Sequence, residues 1–246
     1  MSRYARQTIL PEIGTKGQET LLKSHVLVIG AGGLGCPVIQ YLAAGGIGKL
    51  TIVDDDIVAE SNLQRQVLFR TSDIGKSKAK LAAEFARNLN PDCTAIAIEK
   101  RLDIALAKTL IPEADVVVDG TDNFATRYLL NDACVYFDKP LVAASILKFE
   151  GQLSVYNYKG GPTYRCLFPE PPKAGEMPSC SEAGVLGFLA GTLGTLQANE
   201  VFKVILQLDE VMSGKLLNYN ALNNTFDILS YSKNEPFEAP ELLNNY

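Results

Sequence analysis

The stretch from His25 to Arg65 limits what this chain can fold into more than any other. His25-Val26-Leu27-Val28-Ile29 is a short β-branched apolar run, and Gly30-Ala31-Gly32-Gly33-Leu34-Gly35 follows at once with G-x-G-x-x-G spacing. A strand that feeds a glycine turn and then a helix is a phosphate-binding device. Glycine reaches backbone angles closed to other residues, and the missing Cβ lets a phosphate approach the amides at the helix start. The helix is expected from about Leu34 to Ala44, with Pro37 tolerated in its first turn and Gly45-Gly46 ending it. A second strand, Lys49 to Val53, delivers Asp54-Asp55-Asp56 to its carboxyl end. Asp54 stands 19 residues after Gly35, a spacing that suits an acid accepting hydrogen bonds from ribose hydroxyls.

The rest of the chain alternates between the two element types. Ahead of the glycine motif, Arg3 to Leu10 reads as a short helix or arm closed by Pro11, and Gly17 to Leu22 as a brief helix. After it come the polar loop Ser61-Asn62-Leu63-Gln64-Arg65-Gln66, a helix from about Lys76 to Asn88 stopped by Asn90-Pro91, and a strand from Thr94 to Ile98. A short helix from Ile104 to Leu110 leads to a strand from Asp115 to Asp119, which places Gly120-Thr121-Asp122-Asn123 at its carboxyl end. A helix from Phe124 to Phe137 and a strand from Pro140 to Ala144 complete the regular part. The β-α alternation predicts an α/β, Rossmann-like, mainly parallel sheet flanked by helices.

Beyond it the pattern changes. Gln152 to Tyr158 alternates like an antiparallel strand, Gly160 to Ser179 is a Gly- and Pro-rich loop, and a helix spans Gly184 to Leu206. Lys215 to Tyr219 and Thr225 to Tyr231 read as a hairpin around Asn223-Asn224, so antiparallel strands continue the sheet on its C-terminal side. Nothing marks a boundary or linker, and residues 1–246 are read as a single nucleotide-binding domain ending in a loose tail over 233–246.

Charge and cysteine usage narrow the function. A net charge of −5 and a pI near 5.1 argue against nucleic acid or an anionic membrane as the main partner. The weakly polar run from Ala183 to Leu206 carries Gln197, Asn199, Glu200 and Lys203, which makes it a buried core helix rather than a membrane span. Met1-Ser2-Arg3-Tyr4 opens without an apolar signal core, so a cytoplasmic protein is expected. The five cysteines, Cys36, Cys93, Cys134, Cys166 and Cys180, are scattered and odd in number, which fits reduced thiols. Cys36, Cys93 and Cys134 read as buried packing residues.

A glycine turn followed by an acid also fits an NAD(P)-dependent oxidoreductase. The only histidine, His25, falls at the expected buried start of the first strand, where it serves structure better than acid–base chemistry. Asn62, Arg65, Lys78 and Asp122 lie in segments expected at one sheet edge. Each alone reads equally as a solvated loop group. Together, two cations, an amide and an acid suit a triphosphate with Mg²⁺ better than a pyrophosphate joining two nucleosides.

The motifs R-Y-x-R-Q, G-A-G-G-L-G-C, D-D-D with S-N-L-Q-R-Q, V-V-D-G-T-D-N-F-x-x-R, Y-R-C-L, C-S-E-A-G-V and G-T-L-G-T-L-Q-A-N-E resemble the ThiF/MoeB/HesA family of adenylyltransferases, relatives of ubiquitin-activating enzymes, over roughly residues 3 to 231. The resemblance implies ATP-dependent adenylation of the C-terminal Gly-Gly carboxylate of a small ubiquitin-like sulfur-carrier protein, in thiamine or molybdenum-cofactor biosynthesis. It implies that Gly30, Gly32, Gly33 and Gly35 form the nucleotide turn, that Asp54 holds the ribose, and that Asn62, Arg65 and Lys78 face the phosphates. By the same resemblance Asp122 binds Mg²⁺ beside Asn123, and Arg6 reaches into the active site of a partner subunit, which makes a homodimer necessary. Cys180 aligns with a family cysteine that in some members takes part in sulfur transfer. No sulfurtransferase segment is apparent, so the sulfur donor is expected to be a separate protein such as a cysteine desulfurase or sulfurtransferase. The family's structural zinc is held by two C-x-x-C pairs. Thr163-Tyr164-Arg165-Cys166 stands where the first belongs and no cysteine follows Cys180, so only Cys166 remains and zinc is not expected.

Overall fold

A computed structural model describes residues 2–172 and 184–234. Cys180, the end of the Gly160–Ser179 loop and the tail beyond residue 234 lie outside the described residues. The strands are β1 His25–Ile29, β2 Lys49–Val53, β3 Thr94–Ile98, β4 Val116–Asp119, β5 Leu141–Leu147, β6 Glu150–Tyr156, β7 Lys215–Asn220 and β8 Thr225–Ser230. They form one sheet in the order β3-β2-β1-β4-β5-β6-β7-β8. The first five are parallel and the last three antiparallel, as expected from the change of pattern after residue 144.

The helices are α1 Ala5–Thr8, α2 Gly14–Lys23, α3 Gly35–Gly45, α4 Lys78–Leu89, α5 Ile104–Leu110, α6 Phe124–Tyr136, α7 Tyr164–Leu167 and α8 Gly187–Leu206. The central strands are apolar throughout because both faces of the sheet are covered. Val26 and Val28 of β1 pack with α3, α4 and α8 on one face, while Leu27 and Ile29 pack with α5 and α6 on the other. Gln197 and Glu200 on α8 are buried in that first layer, the amide donating to Asp119 O at 2.8 Å and the carboxylate accepting Met212 N–H at 2.9 Å. No described helix is long and apolar enough to cross a membrane.

Boundaries differ from expectation where a side chain or loop contact decides them. Helix α2 begins at Gly14 rather than Gly17. Helix α4 begins at Lys78 rather than Lys76, because the Ser77 hydroxyl caps it from outside and Lys76 instead pairs with Asp73 at 3.1 Å. Helix α8 starts at Gly187, since Gly184 O accepts Lys148 N–H and Val185 bridges to Lys148. A short helix, α7, interrupts what reads in sequence as a featureless loop.

Candidate active site

A crevice of about 1480 Å³ opens at the carboxyl ends of β1, β2 and β4, where the strand order reverses. Its walls include Gly30, Gly32, Gly33, Asp54, Asn62, Arg65, Gln66, Lys78, Asp122 and Asn123, so most of the expected site residues share one space. The crevice continues past Ser145 and Gln152 to Asn218 and Asn220 on the antiparallel part of the sheet.

The four turn glycines divide into two kinds. Gly30, at φ +93°, passes so close to Gly120 that a Cβ would stand 2.8 Å from its carbonyl oxygen, and a Cβ on Gly35 would stand 1.9 Å from Gly30 O. These two let chain pack on chain, and Gly35 does not line the crevice. A Cβ on Gly33 would meet Ala190 Cβ of α8 at 3.1 Å, whereas one on Gly32 would find only Gln66 Nε2, at 3.7 Å. Gly32 therefore faces open space beside the start of α3, which is the geometry a phosphate needs.

Asp54 projects from the end of β2 and accepts Ala31 N–H at 2.7 Å and Asp56 N–H at 2.9 Å. Burial pushes its carboxyl above the usual carboxylate range, against the pull of these two donors. An ionised carboxylate retains lone pairs beyond those two bonds, and Asp54 lines the crevice with them. Lys78 is buried at the start of α4 with its Nζ 2.9 Å from the exposed carboxylate of Asp56. Arg65 donates from Nη1 to Ser61 O at 3.0 Å, and its stem passes 3.5 Å from the missing Cβ of Gly33. Asn62 spends its Oδ1 on Ala59 N–H at 3.1 Å, leaving the donor end of its amide for a ligand.

Asp122 is exposed on the loop after β4, and Asn123 beside it caps α6 by accepting Thr126 N–H at 2.9 Å. Among the described residues no group of three His, Cys, Asp or Glu side chains could hold a metal ion by itself. A magnesium ion at Asp122 would thus draw its other ligands from phosphate oxygens and water, as Mg²⁺ commonly does.

Beneath that loop lies a pair that the sequence reading passed over. Asp119 is fully buried and accepts from Thr121 N–H, Thr121 Oγ1 and Arg127 Nε at 2.9, 2.6 and 2.8 Å. Burial opposes the Arg127 charge, yet Asp119 and Tyr164 together more than offset it, so the guanidinium is held protonated beyond its ordinary range. The signal was an acid ending an apolar strand with an arginine eight positions on; both stand in V-V-D-G-T-D-N-F-x-x-R. Gln66 is a second omission, and Lys100 and Arg101, which also line the crevice, are a third.

Other expected residues fall away from the crevice. His25 is half-buried rather than buried; its ring bridges Glu113 O at 2.7 Å and Thr51 Oγ1 at 2.9 Å, and burial lowers its pKa. A carbonyl can only accept, so Nδ1 carries the proton and the neutral ring is structural. Arg6 is exposed on the amino-terminal arm. That arm is tied to the opposite edge of the sheet, where Tyr4 donates to Asp92 at 2.9 Å and Gln7 to Gly45 O at 3.0 Å. Cys166 is half-buried with its Sγ accepting Thr163 N–H at 3.4 Å. Cys36, Cys93 and Cys134 are buried, as expected.

The chain is similar to several known proteins. The chain is 50% identical over 234 residues to the SAMP-activating enzyme E1 of Haloferax volcanii, covering 95% of this chain and 86% of that one. It is 46% identical over 239 residues to the sulfur carrier protein adenylyltransferase of Thermus thermophilus, covering 95% and 88%. It is 48% identical to the pig adenylyltransferase and sulfurtransferase MOCS3, but spans only 51% of that longer protein. None of these relatives has an oxidoreductase name, and the hydride-transfer alternative finds no support. The fold superposes on crystal structures of E. coli MccB, for example a complex with MccA-N7isoASN, at a TM-score of 0.84 with 22% identity over 96% of this chain and 74% of that one. The model of the ThiF family matches residues 4–238, and the chain belongs to that family.

Proposed function

We propose that this protein uses ATP to adenylate the C-terminal carboxylate of a small ubiquitin-like sulfur-carrier protein. The observation that carries the reading is the meeting, in one crevice, of an open glycine turn, a ribose-type acid and the cations Arg65 and Lys78, in a chain half identical to a SAMP-activating enzyme. A carboxylate is already ionised at neutral pH and needs no general base. The difficulty is to bring one anion onto the α-phosphorus of another. The attacking carboxylate oxygen forms the new P–O bond while the bond from the α-phosphorus to the bridging oxygen breaks, and pyrophosphate leaves with the electron pair.

Gly32 and the start of α3 give the phosphates their approach, and Asp54 orients the ribose. Arg65, Lys78 and the donor end of Asn62 neutralise and position the phosphate chain. Magnesium at Asp122 would add to that neutralisation. Arg6, being far from its own crevice, suits action in a partner subunit's site, which makes the working form a homodimer. Sulfur would come from a separate donor protein, and the carrier would be of the thiamine or molybdenum-cofactor type.

The test is ATP–pyrophosphate exchange with each candidate carrier in turn, for the wild type and for Arg65→Ala, Lys78→Ala and Asp122→Ala. Exchange with one carrier, lost in all three variants, is expected. Unchanged rates in the variants refute the residue roles, and exchange with no carrier refutes the activity.

A further inference from the structure

We propose that Gln66 is a further substrate-binding residue whose carboxamide donates a hydrogen bond to the phosphate chain of the nucleotide; this rests on the adenylation reading and deepens it. Gln66 is only 3% exposed, yet it belongs to the crevice wall. Its backbone is pinned on both sides, N–H donating to Asn62 O at 2.9 Å and O accepting Phe69 N–H at 3.1 Å, so the place of the side chain is set. Its Oε1 is shielded from solvent and has no hydrogen-bond partner among the described residues. A buried, unpaired acceptor costs free energy, and a residue wanted only for packing there would be apolar.

The other end of the amide accounts for it. Nε2 stands 3.7 Å from the point where a Gly32 Cβ would be, and nothing else lies within 4 Å of that point. A phosphate oxygen entering this space lies beside both the amides of the turn and the Gln66 NH₂. Phosphate oxygens at neutral pH only accept, so an anion selects the orientation that turns NH₂ outward and buries Oε1. Arg65 and Lys78 supply charge from the crevice wall. Gln66 supplies direction without charge, at the one turn glycine that faces open space.

The experiment measures binding of α,β-methylene-ATP, which cannot react across its α–β bridge, and of adenosine, which has no phosphate, to the wild type, Gln66→Met and Gln66→Glu. Melting temperature is measured alongside. Gln66→Met is expected to weaken the ATP analogue about tenfold or more and leave adenosine unchanged, with an unaltered or higher melting temperature because the unpaired acceptor is gone. Gln66→Glu is expected to weaken the analogue further through repulsion. Wild-type affinity for the analogue in either folded variant overturns the proposal. So does parallel loss of adenosine, which marks a collapsed crevice rather than a missing phosphate contact. Failure of the wild type itself to bind the analogue would instead remove the adenylation reading on which the proposal rests.

Discussion

Replacing Arg127 by methionine tests whether the loop bearing Asp122 is set from beneath. Arg127 donates not only to Asp119 but also to Thr121 O at 3.2 Å and Ala144 O at 3.0 Å, so one guanidinium closes the turn after β4 and ties it to β5. Methionine replaces much of the volume and none of the charge. The Asp119 carboxylate is then left in a fully buried position with no cation, a change expected to cost about 3–5 kcal/mol of stability. Against the roughly 5–15 kcal/mol of an ordinary domain that is a large fraction, readable in urea unfolding followed by circular dichroism. The double variant Asp119→Leu/Arg127→Met removes both charges and is expected to recover part of the loss, with an interaction energy of about 1–3 kcal/mol. Exchange activity, measured well below the unfolding midpoint, is expected to fall as well, since Asp122 stands three positions beyond Asp119. A loss below about 1 kcal/mol in Arg127→Met, or strict additivity in the double variant, would refute the reasoning.

The turn glycines make opposite predictions. Gly35→Ala would bring its Cβ 1.9 Å from Gly30 O and is expected not to accumulate as folded protein, whereas Gly32→Ala folds normally and weakens ATP at least about tenfold; melting curves with and without ATP separate the two. For Asp54 the folded pKa is raised by burial, so its contribution to stability is full below the ordinary carboxylate range and is lost as pH rises through the raised value. Asp54→Asn, neutral throughout, is therefore expected to gain stability relative to the wild type across that interval; urea midpoints that stay parallel there would refute the shift. Burial pushes the thiols of Cys36 and Cys93 up to about 12 and about 11, and that of Cys134 higher still. All three are expected to escape labelling by a thiol reagent at pH 8 in the folded protein, as peptide mapping by mass spectrometry can check.

The strands were legible because their chemistry is local. Val26-Leu27-Val28-Ile29 and Val116-Val117-Val118 are apolar on both faces whatever surrounds them, and the match of β1, β2 and β3 to the expected limits follows from that. The convergence of Asp54, Asn62, Arg65, Lys78 and Asp122 was legible for a related reason, since a parallel sheet brings all its carboxyl-end loops to one edge. Legibility ended at tertiary contact. Whether a glycine faces a ligand or a neighbouring chain is not written in G-x-G-x-x-G; it depends on Gly120 lying against Gly30 and Ala190 against Gly33. Asp119 reads in sequence as the end of a strand, and only the reach of Arg127 from α6 makes it a support for the loop above it. Lys76 has the composition of a helix residue, yet the Ser77 cap and the Asp73 pair start α4 two residues later.

The segment after β6 shows how tertiary contacts can do what a sequence leaves unstated. Where the family resemblance implies the first of two C-x-x-C pairs, the sequence is Thr163-Tyr164-Arg165-Cys166. Among the described residues α7 is held by Tyr164 N–H, which donates to Asn131 Oδ1 at 2.8 Å, and by Arg165, whose Nε and Nη2 meet the buried Asp132 carboxylate at 2.7 and 2.8 Å and whose guanidinium lies 4.7 Å from the ring centre of Tyr128. Tyr128 in turn donates to Phe168 O and packs edge-on against Tyr164, which also meets Tyr156 of β6. A bidentate arginine–carboxylate pair fixes direction as well as distance, so it orients this short helix. The same Tyr164 ring lies 6.0 Å from the Arg127 guanidinium. The anchoring of α7 and the support of the Asp122 loop are therefore parts of one buried aromatic and charged layer. That layer joins the antiparallel half of the sheet to the phosphate end of the crevice, and under the proposed reaction those are the two places where the carrier's carboxylate and the nucleotide must meet.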